Sequence, residues 1–443
     1  MTVRFLLRTE FSHPLHLPLS DYQVVLKIIE ASSFEPTNLF TPLDEATAQT
    51  TAGIVDSVRS EGVAAIRRFA EQFSERTADQ PLLIDQDQME TAAGRIEQSD
   101  LDVLKRVAER IRHFADAQLS CLSELKTPVP GGYAGHTIEP INRVGCYAPA
   151  GRFALPSTAL MTIVPAVAAG CPFIVLATPN PSDIMLATAF IAGANQVLAI
   201  GGAHAVASLA YGFEGFEKCD LITGPGNRWV TAAKKIVNGD CGIDMLAGPS
   251  ELVLVADETG KPKTIAADLL AQAEHDVDAR PFMITTSREL ADEVNKQIQT
   301  QLSTLPTGNI AQQAIRNGGA IIVESLQQAI EICNALAPEH LELHCLEAEA
   351  IASQIKHAGC IFIGHQSAEV FGDYGVGPNH TLPTAGTARW SAGLNVFTYT
   401  RVRTYLQLTQ APDSLVQDTA RLAEMEGLIG HQQASLQRQH DNK

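Results

Sequence analysis

The run Ala159-Leu-Met-Thr-Ile-Val-Pro165-Ala-Val-Ala-Ala-Gly170-Cys-Pro172-Phe-Ile-Val-Leu-Ala177 decides the fold, because nearly every residue in it is apolar. Its length suits a membrane span, but Pro165, Gly170 and Pro172 lie inside it. Proline within a helix costs about 3 kcal/mol. The run therefore reads as a buried helix from about Ser157, a turn at Gly170-Cys171-Pro172, and a buried strand from Phe173 to Ala177.

From that strand the same theme repeats. Gln196 to Ile200 predicts a strand, followed by a helix from Gly202; Cys219 to Ile222 predicts the next, followed by a helix after Gly226-Asn227. A second series begins at Glu251-Leu-Val-Leu-Val-Ala256 and continues through Phe282 to Thr285, Ala320 to Val323, Leu341 to His344 and Cys360 to Ile363. Continuous apolar strands alternating with helical patterns indicate parallel sheets covered on both faces. The expected fold is α/β, with two Rossmann-like doubly wound domains. Before about residue 125 and after about residue 395 the pattern predicts charged helical segments, which need the α/β body or another subunit to bury their apolar faces.

The chain has 443 residues, with 32 Lys+Arg against 50 Asp+Glu, a formal net charge of −18. Such a polyanion is a poor partner for nucleic acid or an anionic membrane surface. Hydrophobic residues make up 45% and charged residues 19%, a globular composition. The length suggests two to four domains and room for a ligand cleft between them. The eight cysteines are scattered without a Cys-x-x-Cys, as in reduced, cytoplasmic proteins. Cys146 and Cys360 are conceivable nucleophiles, but their apolar neighbours favour packing. The first residues, Met-Thr-Val-Arg-Phe-Leu-Leu-Arg, lack the apolar stretch of a secretory signal.

The dinucleotide fingerprint Gly-x-Gly-x-x-Gly is absent. Gly201-Gly202-Ala-His204 and Gly224-Pro-Gly-Asn227 follow predicted strands and open helices, so each is either a phosphate-facing loop or a tight turn that needs glycine. In Asp268-Leu-Leu-Ala-Gln272-Ala-Glu-His275-Asp276, Gln272 and His275 are three apart and share a helix face. They offer an amide oxygen and an imidazole nitrogen to a metal, or simply form a polar helix end. Pro338-Glu339-His340 sits at a strand mouth, where a carboxylate and an imidazole suit general-base chemistry, with a solvated loop as the alternative. Asp373-Tyr374 and Gly377-Pro-Asn-His380 follow the last strand in a segment dense enough to be a site loop.

From about residue 50 to 440 these segments, in this order, resemble the histidinol dehydrogenases. The resemblance is carried by Val144-Gly-Cys-Tyr147-Ala-Pro-Ala-Gly151, Leu155-Pro-Ser-Thr158, Gly224-Pro-Gly-Asn227, Ile243-Asp-Met-Leu-Ala-Gly-Pro-Ser250-Glu251, Gln272-Ala-Glu-His275, Pro338-Glu-His340-Leu, Gly372-Asp373-Tyr and Gly377-Pro-Asn-His380-Thr-Leu-Pro-Thr384. It implies an enzyme of the last steps of histidine biosynthesis, oxidising L-histidinol to L-histidine through L-histidinaldehyde with zinc and two NAD. It also implies zinc ligands Gln272, His275, Asp373 and His431; substrate contacts Ser250, Gln272, His275, His340, Asp373, Glu426 and His431; a catalytic pair Glu339 and His340; and NAD contacts Tyr147, His204 and Asn227. The family's intertwined homodimer would bring Glu426 and His431 from one subunit to the other's site.

The expected division is an N-terminal arm over 1–45, a discontinuous first α/β domain over 46–142 and 250–393, a second over 143–249, and a C-terminal helical dimerisation segment over 394–443. Three features depart from the family pattern: His204 replaces a glutamine, Phe397-Thr398 replaces a more polar pair, and the arm, with His13 and His16, has no family counterpart. Other readings are a relative acting on another polar alcohol such as a sulfonated diol, a zinc hydrolase in which Glu339 activates water, and a non-catalytic assembly protein.

Overall fold

The computed structural model describes residues 25–36, 44–150 and 154–439; most of the N-terminal arm, including His13 and His16, lies outside them, as does Gly151. In chain order the strands are β1 (Ile28–Glu30), β2 (Leu83–Ile84), β3 (Leu125–Val129), β4 (Gly132–Pro140), β5 (Arg143–Tyr147), β6 (Phe173–Ala177), β7 (Gln196–Leu198), β8 (Leu221–Thr223) and β9 (Gly242–Ile243). They continue with β10 (Glu251–Ala256), β11 (Arg280–Thr285), β12 (Gly319–Ile322), β13 (His340–His344), β14 (Cys360–Ile363) and β15 (Thr400–Leu408).

Two six-stranded sheets result, ordered β2-β7-β6-β5-β8-β9 and β1-β12-β11-β10-β13-β14. Apart from the antiparallel edge strand β2, every pairing in them is parallel. In each, the chain winds outward from a central strand, β5 or β10, then returns to wind the other way from β8 or β13. This is the doubly wound topology, with a switch point between β5 and β8 and between β10 and β13.

The apolar run is the helix Pro156–Ala168, the turn and β6. Its helix is buried from Thr158 to Ala166, as the helix Gly202–Tyr211 is from Ala203 to Ala210. A helix apolar on all sides must be covered on all sides. That requirement corrects the expected grouping of 46–142 with 250–393. The helix Glu45–Glu61 packs on Gly202–Tyr211 and Arg228–Val237, Gln86–Ala93 on Asp183–Ala192, and Gln98–Leu119 on Pro156–Ala168; β2 joins the same sheet. Residues 45–119 are therefore an outer layer of the 143–249 sheet. Residues 28–30, assigned to the arm, extend the other sheet beside β12.

A third sheet, β15-β4-β3, is antiparallel and unanticipated by the expected helical pattern after residue 395. Most of β15 is exposed, with Leu406 65% and Val402 56% accessible. The helices Asp413–Met425 and Ile429–Leu436 follow, packed on each other, with Leu422, Met425 and Ile429 exposed. Among the described residues no helix is long and apolar enough to cross a membrane.

Pro165 has no N–H for the carbonyl of Met161 one turn earlier. Asn379, from the loop after β14, fills that gap: its side-chain N–H donates to Met161 O at 2.6 Å, and its oxygen accepts the Thr381 N–H at 2.9 Å. A buried carbonyl left without a donor costs about 1–3 kcal/mol. Asn379→Ala is expected to destabilise the protein by that amount, read as a lower urea midpoint; Asn379→Asp, which lacks the N–H, should fall with it.

Candidate active site

The helix Leu326–Leu336 ends on Ala337, whose φ of 51° puts a non-glycine residue in the left-handed region, a strain typical of functional sites. The chain then presents Glu339 and His340 at the amino end of β13, between β10 and β14. Both side chains are buried, and both are held by the backbone of Glu251. The Glu251 N–H donates to Glu339 Oε2 at 2.8 Å, and His340 Nδ1 donates to the Glu251 carbonyl at 3.1 Å. His340 Nε2 is thereby the unprotonated nitrogen. It is buried, without a hydrogen-bond partner, and 3.9 Å from Asp373 Oδ1.

Gln272 lies near the end of the helix Pro262–Ala273, and His275 lies just past it. His275 Nδ1 faces the Gln272 carbonyl at 3.3 Å, and Nε2 is 3.3 Å from Asp373 Oδ2. Turned so that its NH2 donates to both Glu369 oxygens, at 2.9 and 3.0 Å, Gln272 keeps its own oxygen available. Glu369 and Asp373 begin and end the short helix Glu369–Asp373, and His380 Nδ1 donates to the Asp373 carbonyl at 3.0 Å. Glu369 escaped the sequence reading, although its spacing from Asp373 places both on one helical face.

Burial pushes Glu339 and Glu369 well above the usual carboxylate range, and Glu251 up to about 7. Burial acts the same way on Asp373, but the hydrogen bond from His275 and the facing His380 and His340 outweigh it and hold Asp373 low. Burial pulls His340 down to about 4, so it is a neutral base at pH 7.

The donors suit a divalent cation. His275, Glu369 and Asp373 have ligand atoms within 4.8 Å of one another, with the Gln272 oxygen available beside them, and the Gln272 carbonyl at His275 Nδ1 leaves Nε2 oriented as a ligand. His431 is not part of that group. It lies exposed on the helix Ile429–Leu436, as Glu426 lies exposed at the end of Asp413–Met425. Ser250 immediately precedes β10, and its carbonyl accepts the Arg280 N–H at 3.0 Å.

Tyr147 and Asn227 lie at the carboxyl ends of β5 and β8, the switch point where ligands of doubly wound sheets bind. Tyr147 OH accepts the Gly202 N–H at 3.0 Å, and Asn227 caps Arg228–Val237. Glu75 takes the Gly201 N–H at 3.1 Å and His204 Nε2 at 2.8 Å. The Gly201-Gly202 turn therefore has its donors occupied and a carboxylate beside it, which disfavours the phosphate-loop reading. His204 is fully buried, with Phe69 and Phe73 against its ring. Cys146 is buried, with its thiol pushed up to about 12 by desolvation, so it packs rather than attacks.

A family model described as histidinol dehydrogenase matches residues 42–439. The chain belongs to the histidinol dehydrogenase family. It is thus a member of a family of oxidoreductases. It is 40% identical to the histidinol dehydrogenase of Acinetobacter baylyi over 92% of this chain and 95% of the relative, and 39% identical to that of Bacillus subtilis over 92% and 97%. The crystal structure of histidinol dehydrogenase from Elizabethkingia anophelis superposes with a TM-score of 0.87 at 31% identity, covering 93% of this chain and 98% of that one.

His340 couples this family member's site to pH. With a folded pKa near 4 and an unfolded value near 6.5, the unfolded chain binds the extra proton between those limits. That contribution to stability is complete above about pH 6.5 and falls as pH drops toward 4. Urea midpoints of metal-free protein are expected to fall between pH 7 and pH 5, with a smaller drop in His340→Gln. An equal drop in both proteins would remove His340 as the source.

Proposed function

We propose that the chain oxidises L-histidinol to L-histidine through L-histidinaldehyde, with zinc and NAD. The observation that carries this reading is a buried, neutral His340 with a lone unpartnered nitrogen facing Asp373.

Gln272, His275 and Asp373 would hold zinc, with His431 of the partner subunit as the fourth ligand. Zinc would supply a positively charged anchor for the amine and imidazole of the substrate. Tyr147 and Asn227 would line the NAD site. NAD would accept the hydride in each oxidation. At this switch point Glu75 is suited to accept hydrogen bonds from ribose hydroxyls, while the buried His204 acts behind it, fixing the Glu75 carboxylate rather than touching the cofactor.

In the first oxidation His340 Nε2 takes the substrate hydroxyl proton. Glu339, adjacent and buried, then receives a proton from the water that adds to the aldehyde, while His340 returns its proton to the aldehyde oxygen, so that the hydrate forms and Nε2 is free again. His340 takes the hydrate's hydroxyl proton in the second oxidation. Ser250 and Glu426 would complete the substrate cradle, Glu426 facing its cationic nitrogens. The exposed apolar residues of β15 and the C-terminal helices support a homodimer, and the reduced, mostly buried thiols support a cytoplasmic location. Asp373 together with two imidazoles suits an amine or imidazole better than a sulfonated diol, which would bring a further anion among buried carboxylates.

Zinc-loaded protein given histidinol and NAD should yield two NADH per histidine; turnover only of another polar alcohol would replace this substrate. His340→Ala should lower kcat by roughly 100-fold or more for both oxidations. Glu339→Gln should chiefly slow oxidation of supplied aldehyde, and an unchanged aldehyde rate would refute its role. Refolding inactive His431→Ala chains together with inactive His340→Ala chains should restore activity, since one site of each mixed dimer is intact. If His431 serves its own chain, the mixture stays inactive.

A further inference from the structure

Glu369 links the catalytic cluster to a second group of buried side chains. Its carboxylate lies 3.9 Å from His340 Nδ1, and its backbone N–H donates to Glu342 Oε1 at 2.6 Å. Glu342 and His344 are alternate residues of β13 and project from one face of the sheet. Asp268 reaches them from the middle of the helix Pro262–Ala273. The three are 0%, 1% and 8% exposed.

His344 Nε2 stands 3.4 Å from Glu342 Oε2 and 3.6 Å from Asp268 Oδ2. None of these three atoms has a hydrogen-bond partner, and neither has His344 Nδ1. A buried polar atom without a partner costs about 1–3 kcal/mol, and more when charged, so three that converge call for one occupant. A bridging water, ~2.8 Å from each neighbour at tetrahedral angles, would hold them ~4.5 Å apart. A zinc-like ion with ligands at ~2.0–2.2 Å would hold them ~3.3–3.6 Å apart. The two spacings from His344 Nε2 match the cation, and all three ligand atoms lie within 4.8 Å of one another. Two carboxylates and a neutral imidazole also balance a divalent charge, which buried acids require. Desolvation, with Glu342 alongside, otherwise pushes Asp268 up to about 7. One nitrogen among the donors selects a transition metal over calcium or magnesium.

We propose that Asp268, Glu342 and His344 form a second divalent transition-metal site, distinct from the Gln272, His275 and Asp373 group. Asp268 precedes Gln272 by one helical turn, so a cation there ties the helix that presents Gln272 to the strand that presents His340. This inference stands independently of the proposed reaction.

The test is zinc content, by mass spectrometry, of the full-length protein loaded with zinc and gel-filtered. His344→Gln is expected to lose one equivalent relative to wild type, His275→Ala a different one, and the double variant both. Zinc should raise the Tm of His275→Ala but not that of the double variant. Equal zinc content in wild type and His344→Gln would overturn the proposal. Should His344→Gln fail to fold, zinc-edge anomalous scattering from wild-type crystals decides. A peak among Asp268, Glu342 and His344 supports the site, and no peak there refutes it, whether or not one stands at His275. The proposed reaction fails separately, on absence of turnover with histidinol.

Discussion

The backbone of Glu251 is the constraint on which the active centre depends. Its N–H holds Glu339 and its carbonyl holds His340, so one residue fixes both members of an adjacent acid–base pair. This works because β10 and β13 run parallel with Leu252 opposite His340, leaving the polar groups of Glu251 free at the edge of the ladder. A one-residue slip would turn His340 to the opposite face of the sheet. The apolar strand interiors, which make such a slip costly, therefore also set which nitrogen of the buried His340 imidazole carries the proton.

The same sheet edge concentrates acids. Glu251, Glu339, Glu369 and Asp373 are all buried at or near the amino ends of these strands, and burial raises three of them. Crowded buried carboxylates are tolerated when cations or shared protons offset them. The centre is thus organised around positive charge that the polypeptide itself supplies only in part. A strongly acidic chain reflects this locally, while most of its net charge is solvated surface.

Much of the architecture was legible because buried parallel strands are nearly continuous apolar runs. Phe173–Ala177, Glu251–Ala256 and Cys360–Ile363 are the strands that the pattern predicts. The β3-β4-β15 sheet was not, since β15 mixes polar and apolar residues with both faces largely exposed and no core to mark its inward side. The packing of 46–142 is not legible in the sequence because chain order, unlike the all-round hydrophobicity of Pro156–Ala168, does not say which body needs covering. Within the site, Glu339, His340, Gln272, His275 and Asp373 were legible as types at suggestive spacings, and the structure brings them together. Glu369, Glu251 and Glu75 were not, because their roles come from contacts 27 to 129 residues away in sequence. The family resemblance implies that His204 is a cofactor contact, whereas its ring lies buried against Phe69 and Phe73 with Glu75 as its hydrogen-bond partner.

Pro165 has a consequence beyond its own helix. An ordinary helical residue would satisfy the Met161 carbonyl from within the helix. The proline makes that carbonyl a permanent vacancy in a helix of one sheet, and Asn379 from the loop of the other fills it. The segment that carries Asp373 and His380 is thus latched to the body built on β5–β9 by a covalently guaranteed acceptor, and relative movement of the two bodies would pull directly on Asp373 and His380.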